Sequence, residues 1–492
     1  MIANGPQRKN HFCRVSRAIG GKLFPGVFMR LHFLGANRQV TGSRYCLETD
    51  STRVMIDCGM FQEREFLDRN WAPSPLPAGS IDALLLTHVH IDHCGLLPRL
   101  AGEGFQSPIY ATRPSAELLG LMLRDAAEIQ EENAAYKLRR HEKEKRKGPH
   151  PVEPLYTQED VDLVLPLVQP VNYGKSQPVG RGVTARFHDA GHILGSAYVE
   201  VQVGEGEERQ CVLFSGDLGQ HGKPLVRDPA PPPAADYLIL ESTYGDRTHA
   251  EAGDIASQLA EIVNRTARRG GNVVIPTFAV ERAQELLYFI GGLIHEHRIP
   301  QIPVYLDSPM AVDVTAVFLQ FRDCFDKETW ELLRKGGTPF SFPGLNFSRT
   351  VEQSRAINKV RTPCIIMATS GMCNAGRIKH HLRQNLGRPE STVLFVGYQG
   401  HGTLGRQIVD GAERVRIHGR EYTVRAEIAR IYGFSGHADR TGLLNWVAAL
   451  PRRPKHIFLT HGELQAAEAL RNTLVEQGHT VSIPRYGETV EL

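Results

Sequence analysis

The sequence has no long apolar run. Its longest uninterrupted stretches are strand-sized, such as Val273 to Pro276 and Tyr237 to Leu240, far short of the roughly 20 residues that cross a bilayer, so a soluble protein with no membrane partner is expected. Cysteine is sparse: the 8 in 492 residues include no CxxC pair. That excludes a cysteine zinc ribbon and a disulfide framework, and it favours a reducing cytoplasm. Neither sign of charge dominates. A formal net charge of +3 is too small to mark a polyanion-binding protein by itself, so the placement of charge has to decide. The first 28 residues carry Arg8, Lys9, Arg14, Arg17 and Lys22 but lack the apolar core of a secretory signal. Residues 1–28 are expected to form a disordered tail, or to reflect a start codon read too early, with Met29 opening the first domain. There is no internal repeat, and the only biased tract is the proline linker PAPPP at 229–233.

What is present is an ordinary globular composition, 41% hydrophobic and 23% charged, in a chain long enough for two or three compact units. From Arg30 the pattern is strand-like, with RLHFLG, SRYCLET and RVMIDCG each bounded by turn formers. IDALLLT, from Ile81 to Thr87, is apolar throughout, as a strand buried on both faces would be, and it delivers His88 at its end. Residues 115–147 predict one long helix or a broken pair. It ends in the run KLRRHEKEKRK, whose seven Lys or Arg against two Glu between Lys137 and Lys147 suit either a polyanion contact or a solvated helix end. Short strands resume after Val183. From about residue 247 amphipathic helices alternate with apolar strands, the pattern of a parallel α/β sheet.

THVHIDHCG places three His and one Asp within six residues, 88–93, directly after the buried strand. Imidazole nitrogen and carboxylate oxygen are ligands that Zn²⁺ accepts, and one turn can aim alternate side chains at two neighbouring ions. Further acceptors follow apolar runs and sit among glycines: His192 in DAGHILGS and Asp217 in LFSGDLG. Cys58 and Cys94 adjoin these motifs at the wrong spacing for ligands and read as small buried fillers.

At these residues the chain resembles the metallo-β-lactamase superfamily, whose ordered motifs are an Asp ending an early strand (Asp57 in VMIDCG), HxHxDH, a later His and a later Asp. It is further similar to the β-CASP branch, nucleases that include the mRNA 3′-end cleavage subunit. The branch motifs match Glu241 in LILESTYG, His437 in GFSGHAD and His461 in LTHGE. PTFAVERAQELL, YLDSPMA, ATSGMCNAGR and GYQGHGTLGR look like stretches of the same branch. GHILGS and the GYQ to GTLGR stretch have the form of its cleavage-subunit-like bacterial and archaeal members rather than of ribonuclease J.

The resemblance implies an α/β fold: a metallo-β-lactamase αββα sandwich over 29–246 and 426–492, interrupted by a β-CASP domain over 247–425 that caps the active site. It implies two Zn²⁺ per chain, with Mn²⁺ as the alternative. One ion would be held by His88, His90, His192 and Asp217 and the other by Asp92, His93, Asp217 and His461, with Asp217 bridging and Asp57 orienting ligands from behind. It implies hydrolysis of RNA phosphodiester bonds by a metal-activated hydroxide, endonucleolytic and open to 5′ exonuclease action, leaving 5′-phosphate and 3′-hydroxyl ends. Asp92, Glu241 and His437 are the catalytic candidates. His437, neutral at an ordinary pKa of about 6.5 and held by Glu241, would protonate the leaving oxygen. Ser370, Gly371, Arg377, Gly402 and Arg406, in Gly-rich turns after strands, are candidates for holding substrate phosphate. The competing readings are a DNA-directed or small-molecule hydrolase of the same fold and a non-catalytic RNA-binding scaffold. A homodimer is left open.

Overall fold

The computed structural model describes residues 28–144, 152–249, 254–397, 399–400 and 402–492. The tail expected at 1–28, apart from Phe28, and residues 145–147 of the basic run lie outside the described residues.

Two seven-stranded sheets face each other. In the first, the order is Thr489–Glu491, Met29–Phe33, Tyr45–Thr49, Arg53–Ile56, Ala83–Leu85, Ile109–Thr112 and Val168–Val171. The second runs Val481–Ser482, His456–Thr460, Tyr237–Glu241, Gln210–Phe214, Ala197–Val203, Val183–Asp189 and Ser176–Gly180. Alternation explains the pairing. Met29, Leu31 and Phe33 are buried while Arg30 and His32 are not fully so, and the inward residues meet Phe187, Val199, Val201, Phe214 and Phe458 from the opposite sheet in one apolar layer. The helices Arg440–Ala448 and Leu464–Glu476 cover the outer face of the second sheet, burying Leu443, Trp446, Val447, Leu470 and Leu474 against Leu213, Leu238, Leu240 and Leu459. On the other side lies the helix Arg113–Glu144, unbroken over 32 residues, which buries Leu118, Leu119, Leu123 and Ala127 at helical spacing. This is the αββα sandwich.

A third sheet is built from the insert. Its strands Leu345–Phe347, Val304–Asp307, Ile365–Ala368, Val273–Pro276, Thr392–Phe395 and Glu427–Arg430 are adjacent in that order and all parallel. Apolar side chains cover both faces, with Leu259, Val263, Leu286 and Ile290 on one and Ile378, Leu382, Leu386 and Ile408 on the other. Because Glu427–Arg430 pairs with Thr392–Phe395, the sheet of the insert runs past the boundary expected at 425. Two apolar residues between Glu427 and Arg430 give no sign of which sheet accepts this edge strand.

Parallel pairing places the chemistry. Gln210–Phe214, Tyr237–Glu241 and His456–Thr460 run side by side, with Phe214 opposite Ile239 and Glu241 opposite Thr460. The residues just beyond them, Asp217 and His461, therefore emerge with Glu241 at one edge. No helix among the described residues is long and apolar enough to cross a membrane.

Candidate metal centre

All seven candidate ligands converge at that edge, on either side of Asp217. Asp217 Oδ2 lies 3.5 Å from His88 Nε2 and 3.6 Å from His192 Nε2; His90 Nδ1 is 3.0 Å from the first and 3.2 Å from the second. Asp217 Oδ1 lies 3.3 Å from His93 Nε2 and 3.5 Å from His461 Nε2. Those two nitrogens are 3.1 Å apart, and Asp92 Oδ2 is 3.4 Å from His461 Nε2. Four donors around a Zn²⁺ at about 2.1 Å stand about 3.4 Å from one another along the edges of a tetrahedron. Both sets have that spacing.

The cluster is buried, with His88, His93, His192, Asp217 and His461 each at most 3% exposed. Asp217 Oδ1 has no hydrogen-bond partner. Nitrogen lone pairs brought this close repel unless a proton or a cation lies between them, and an orphaned buried carboxylate oxygen is costly. The residues fit a pair of divalent cations. Burial, with cationic neighbours, holds His88 and His192 well below the usual imidazole range, and burial brings His90 down to about 4. These three rings are neutral and ligand-ready. Burial would raise the carboxyls of Asp92 and Asp217, but the surrounding histidines overcome it and keep both ionised. His93 and His461 move the other way, because Asp217 outweighs the desolvation that would lower them.

A second layer fixes the tautomers. His93 Nδ1 sits 2.7 Å from Asp57 Oδ2, which leaves Nε2 for the metal side. Asp57 also accepts from the backbone N–H and the hydroxyl of Thr87, both at 2.8 Å. His461 Nδ1 is 3.0 Å from Thr243 Oγ1, and that hydroxyl donates to Glu241 Oε2 at 2.6 Å. Asp57 and His461 both adopt left-handed backbone angles, φ 58° and 48°, a strain that the packing of the turns has to hold. Thr87 and Thr243 were missed by sequence reasoning; the signal was their position beside His88 and two residues past Glu241.

His437 stands at the rim, its side chain 20% exposed. Its Nδ1 is 3.2 Å from Glu241 Oε2, and Glu241 Oε1 accepts the Leu218 N–H at 2.6 Å. Burial would lower this imidazole, but Glu241 and Asp217 push it up to about 9. That is above the ordinary imidazole value expected for it, so the two carboxylates favour the protonated form of this ring.

The candidate phosphate contacts lie on the insert and are largely committed elsewhere. Arg377 donates to Asp307 at 2.8 Å and to the carbonyl oxygens of Ser348 and Arg349. Arg406 bonds Asp410 one helical turn on. Ser370 closes a turn by accepting the Ala375 N–H at 3.3 Å. Gly371 lies under the ring of Phe278, and Gly402 takes a left-handed φ of 78°.

A two-sheet sandwich with paired His/Asp ligand sets at one edge and a parallel α/β insert above them defines a metallo-hydrolase of the lactamase fold. Family models agree along the chain: metallo-β-lactamase superfamily over residues 40–276, β-CASP domain over 283–408, and Zn-dependent metallo-hydrolase RNA specificity domain over 421–484. Ribonuclease TTHA0252 of Thermus thermophilus is 40% identical over 94% of this chain and 100% of its own length. Transcription termination factor FttA of Methanosarcina mazei is 32% identical over 92% of this chain and 69% of its own length; its counterpart in Methanocaldococcus jannaschii is 32% identical over 92% and 70%. A solved structure, a protein of unknown function from Enterococcus faecalis, shares the fold with a TM-score of 0.54 at 14% identity, covering 94% of this chain and 100% of that one. The chain belongs to the β-CASP family of the metallo-β-lactamase superfamily.

Proposed function

We propose that the protein is a zinc-dependent ribonuclease of the cytoplasm that hydrolyses RNA phosphodiester bonds internally. The observation that carries the reading is the division of Asp217, one oxygen to each ligand set, with His437 held by Glu241 at the rim of the same cluster. His88, His90, His192 and Asp217 would hold one zinc and Asp92, His93, Asp217 and His461 the other, with Mn²⁺ able to replace either. Bound metal supplies positive charge to the phosphodiester and makes water acidic enough to serve as nucleophile near neutral pH.

The remaining work falls to the chain's own side chains. Asp92 and Asp217 stay ionised and balance the cations. Asp57 and Thr243 keep His93 and His461 in the ligating tautomer. Glu241 orients His437 and stabilises its protonated form, so that Nε2–H can be given to the departing 3′-oxygen. The insert closes over this edge, and its turns around Ser370, Gly371 and Gly402 offer backbone N–H groups to phosphate. Seven converging ligands, five of them buried and costly there without a cation, support an enzyme over a binding scaffold.

The test is a comparison of RNA and DNA strands of one sequence, incubated with zinc-reloaded protein and analysed for end groups. RNA cut to 5′-phosphate and 3′-hydroxyl ends, with DNA spared, is the expected result. DNA cut as readily as RNA would overturn the substrate assignment.

A further inference from the structure

All strands of the insert end on one side, and His437 reaches the metal cluster from that side. The strand Glu427–Arg430 runs straight into residues 431–436 and then His437. Two aromatic side chains on this edge depart from the burial around them. Phe278, two residues beyond Val273–Pro276, is 41% exposed, and Tyr432, two residues beyond Glu427–Arg430, is 62% exposed, whereas their neighbours Ile431 and Phe434 are buried. The two strands flank Thr392–Phe395 in the sheet, so their ends lie about 10 Å apart.

Phe278 is not loose. Its ring lies so close to Gly371 that a Cβ there would fall 2.7–3.0 Å from three ring atoms. Glycine at 371 is what lets the ring seat, one side against backbone and the rest toward solvent. Three residues on, Glu281 accepts the Leu194 N–H at 3.0 Å, next to the turn of His192. The segment that carries Phe278 is thereby tied to the loop that carries His192. Tyr432 has no hydrogen bond to its hydroxyl among the described residues, so that no buried partner explains its ring. A phenyl ring seated on backbone with an open side, on a segment tied to the loop of a candidate metal ligand, is what an unpaired base needs for stacking, and such stacking is indifferent to sequence because every base has a π-face.

We propose that Phe278 and Tyr432 are stacking platforms for unpaired bases of the RNA strand, on either side of the path that leads it to the metals. The proposal rests on the ribonuclease reading. It gives the enzyme a preference for single strands, since a base in a duplex cannot leave its neighbours to lie on a side chain without breaking pairing.

The test uses the zinc-loaded His437→Ala protein, which slows cleavage, and a fluorescein-labelled oligouridylate followed by anisotropy. Phe278→Ala and Tyr432→Ala should each weaken binding about 5- to 150-fold, the range for loss of one stacked base, without changing the dependence of affinity on salt, because no phosphate contact is removed. Phe278→Trp and Tyr432→Phe should bind like the parent. Phe278→Leu, which keeps an apolar contact with Gly371, should behave like Phe278→Ala. The decisive readout is a set of oligonucleotides each lacking one base. One abasic position should weaken binding to the parent yet make no difference to Phe278→Ala, as coupling requires. Unchanged affinity in both alanine variants, or abasic penalties identical in parent and variants, would overturn the stacking role. A parent enzyme that neither binds nor cuts RNA would instead overturn the ribonuclease reading.

Discussion

His437 turns Nδ1 toward Glu241 at 3.2 Å, while His461, 24 positions later in the chain, turns Nε2 into the ligand set 3.5 Å from Asp217 Oδ1. The stacked rings are 5.9 Å apart, yet their polar atoms serve different partners. His437→Ala should therefore keep its zinc and RNA affinity while losing roughly 10²- to 10⁴-fold in rate, as for a removed general acid. His461→Ala should weaken metal binding. A nitrophenyl phosphodiester, whose leaving group needs no proton, should restore turnover in the first variant and not in the second. Equal metal loss in both would contradict the division of roles.

Asp57 acts through His93. Its carboxylate accepts from the ring and from Thr87, so that Asp57→Asn should loosen metal about 10- to 100-fold, the usual consequence of losing a carboxylate behind a ligating imidazole. Zinc competition against a fluorescent chelator measures this. Native affinity in the variant would mean that the turn alone fixes the ring.

Glu281 gives a pH dependence outside the ligand set. Burial, with Glu285 nearby, pushes its carboxyl up to about 8, so the folded chain holds this proton over a range in which the unfolded chain has released it. Stability contributed by the neutral form is therefore complete below the unfolded value near 4.5 and is lost as pH rises through about 8. Glu281→Gln keeps an acceptor for the Leu194 N–H and carries no charge. Denaturant unfolding at pH 6 to 9 should show the native protein losing stability with rising pH relative to the variant. Parallel profiles would place an ionised carboxylate at 281.

The local half of the site is written in the sequence. His88, His90, Asp92 and His93 lie within six residues, so a strand followed by a short helix brings them together with little help from the rest of the fold. His192, Asp217 and His461 are visible only as single acceptors among glycines; the parallel register of distant strands unites Asp217 with His461, and antiparallel pairing of Val183–Asp189 through Ala197–Val203 brings in His192. The sheets were readable where apolar residues alternate or run continuously. The edge strand Glu427–Arg430 was not, because its place depends on a partner rather than on its own pattern. Nor could the sequence reveal that Arg377 is tied to Asp307, 70 positions earlier, or that Phe278 lies exposed against Gly371. Both follow from how the strand ends of the insert meet.

Asp217 would be shared by two metals, and a single titration examines that sharing. Chelated protein is given zinc in steps while bound metal per chain and linearisation of a closed RNA circle are followed together; a circle has no end, so its opening reports internal cleavage alone. Bound zinc should saturate at two per chain, with linearisation rising as the second equivalent binds, and Asp217→Ala should lose metal and cleavage together. Full linearisation at one zinc per chain, or an intact circle at two, would contradict it.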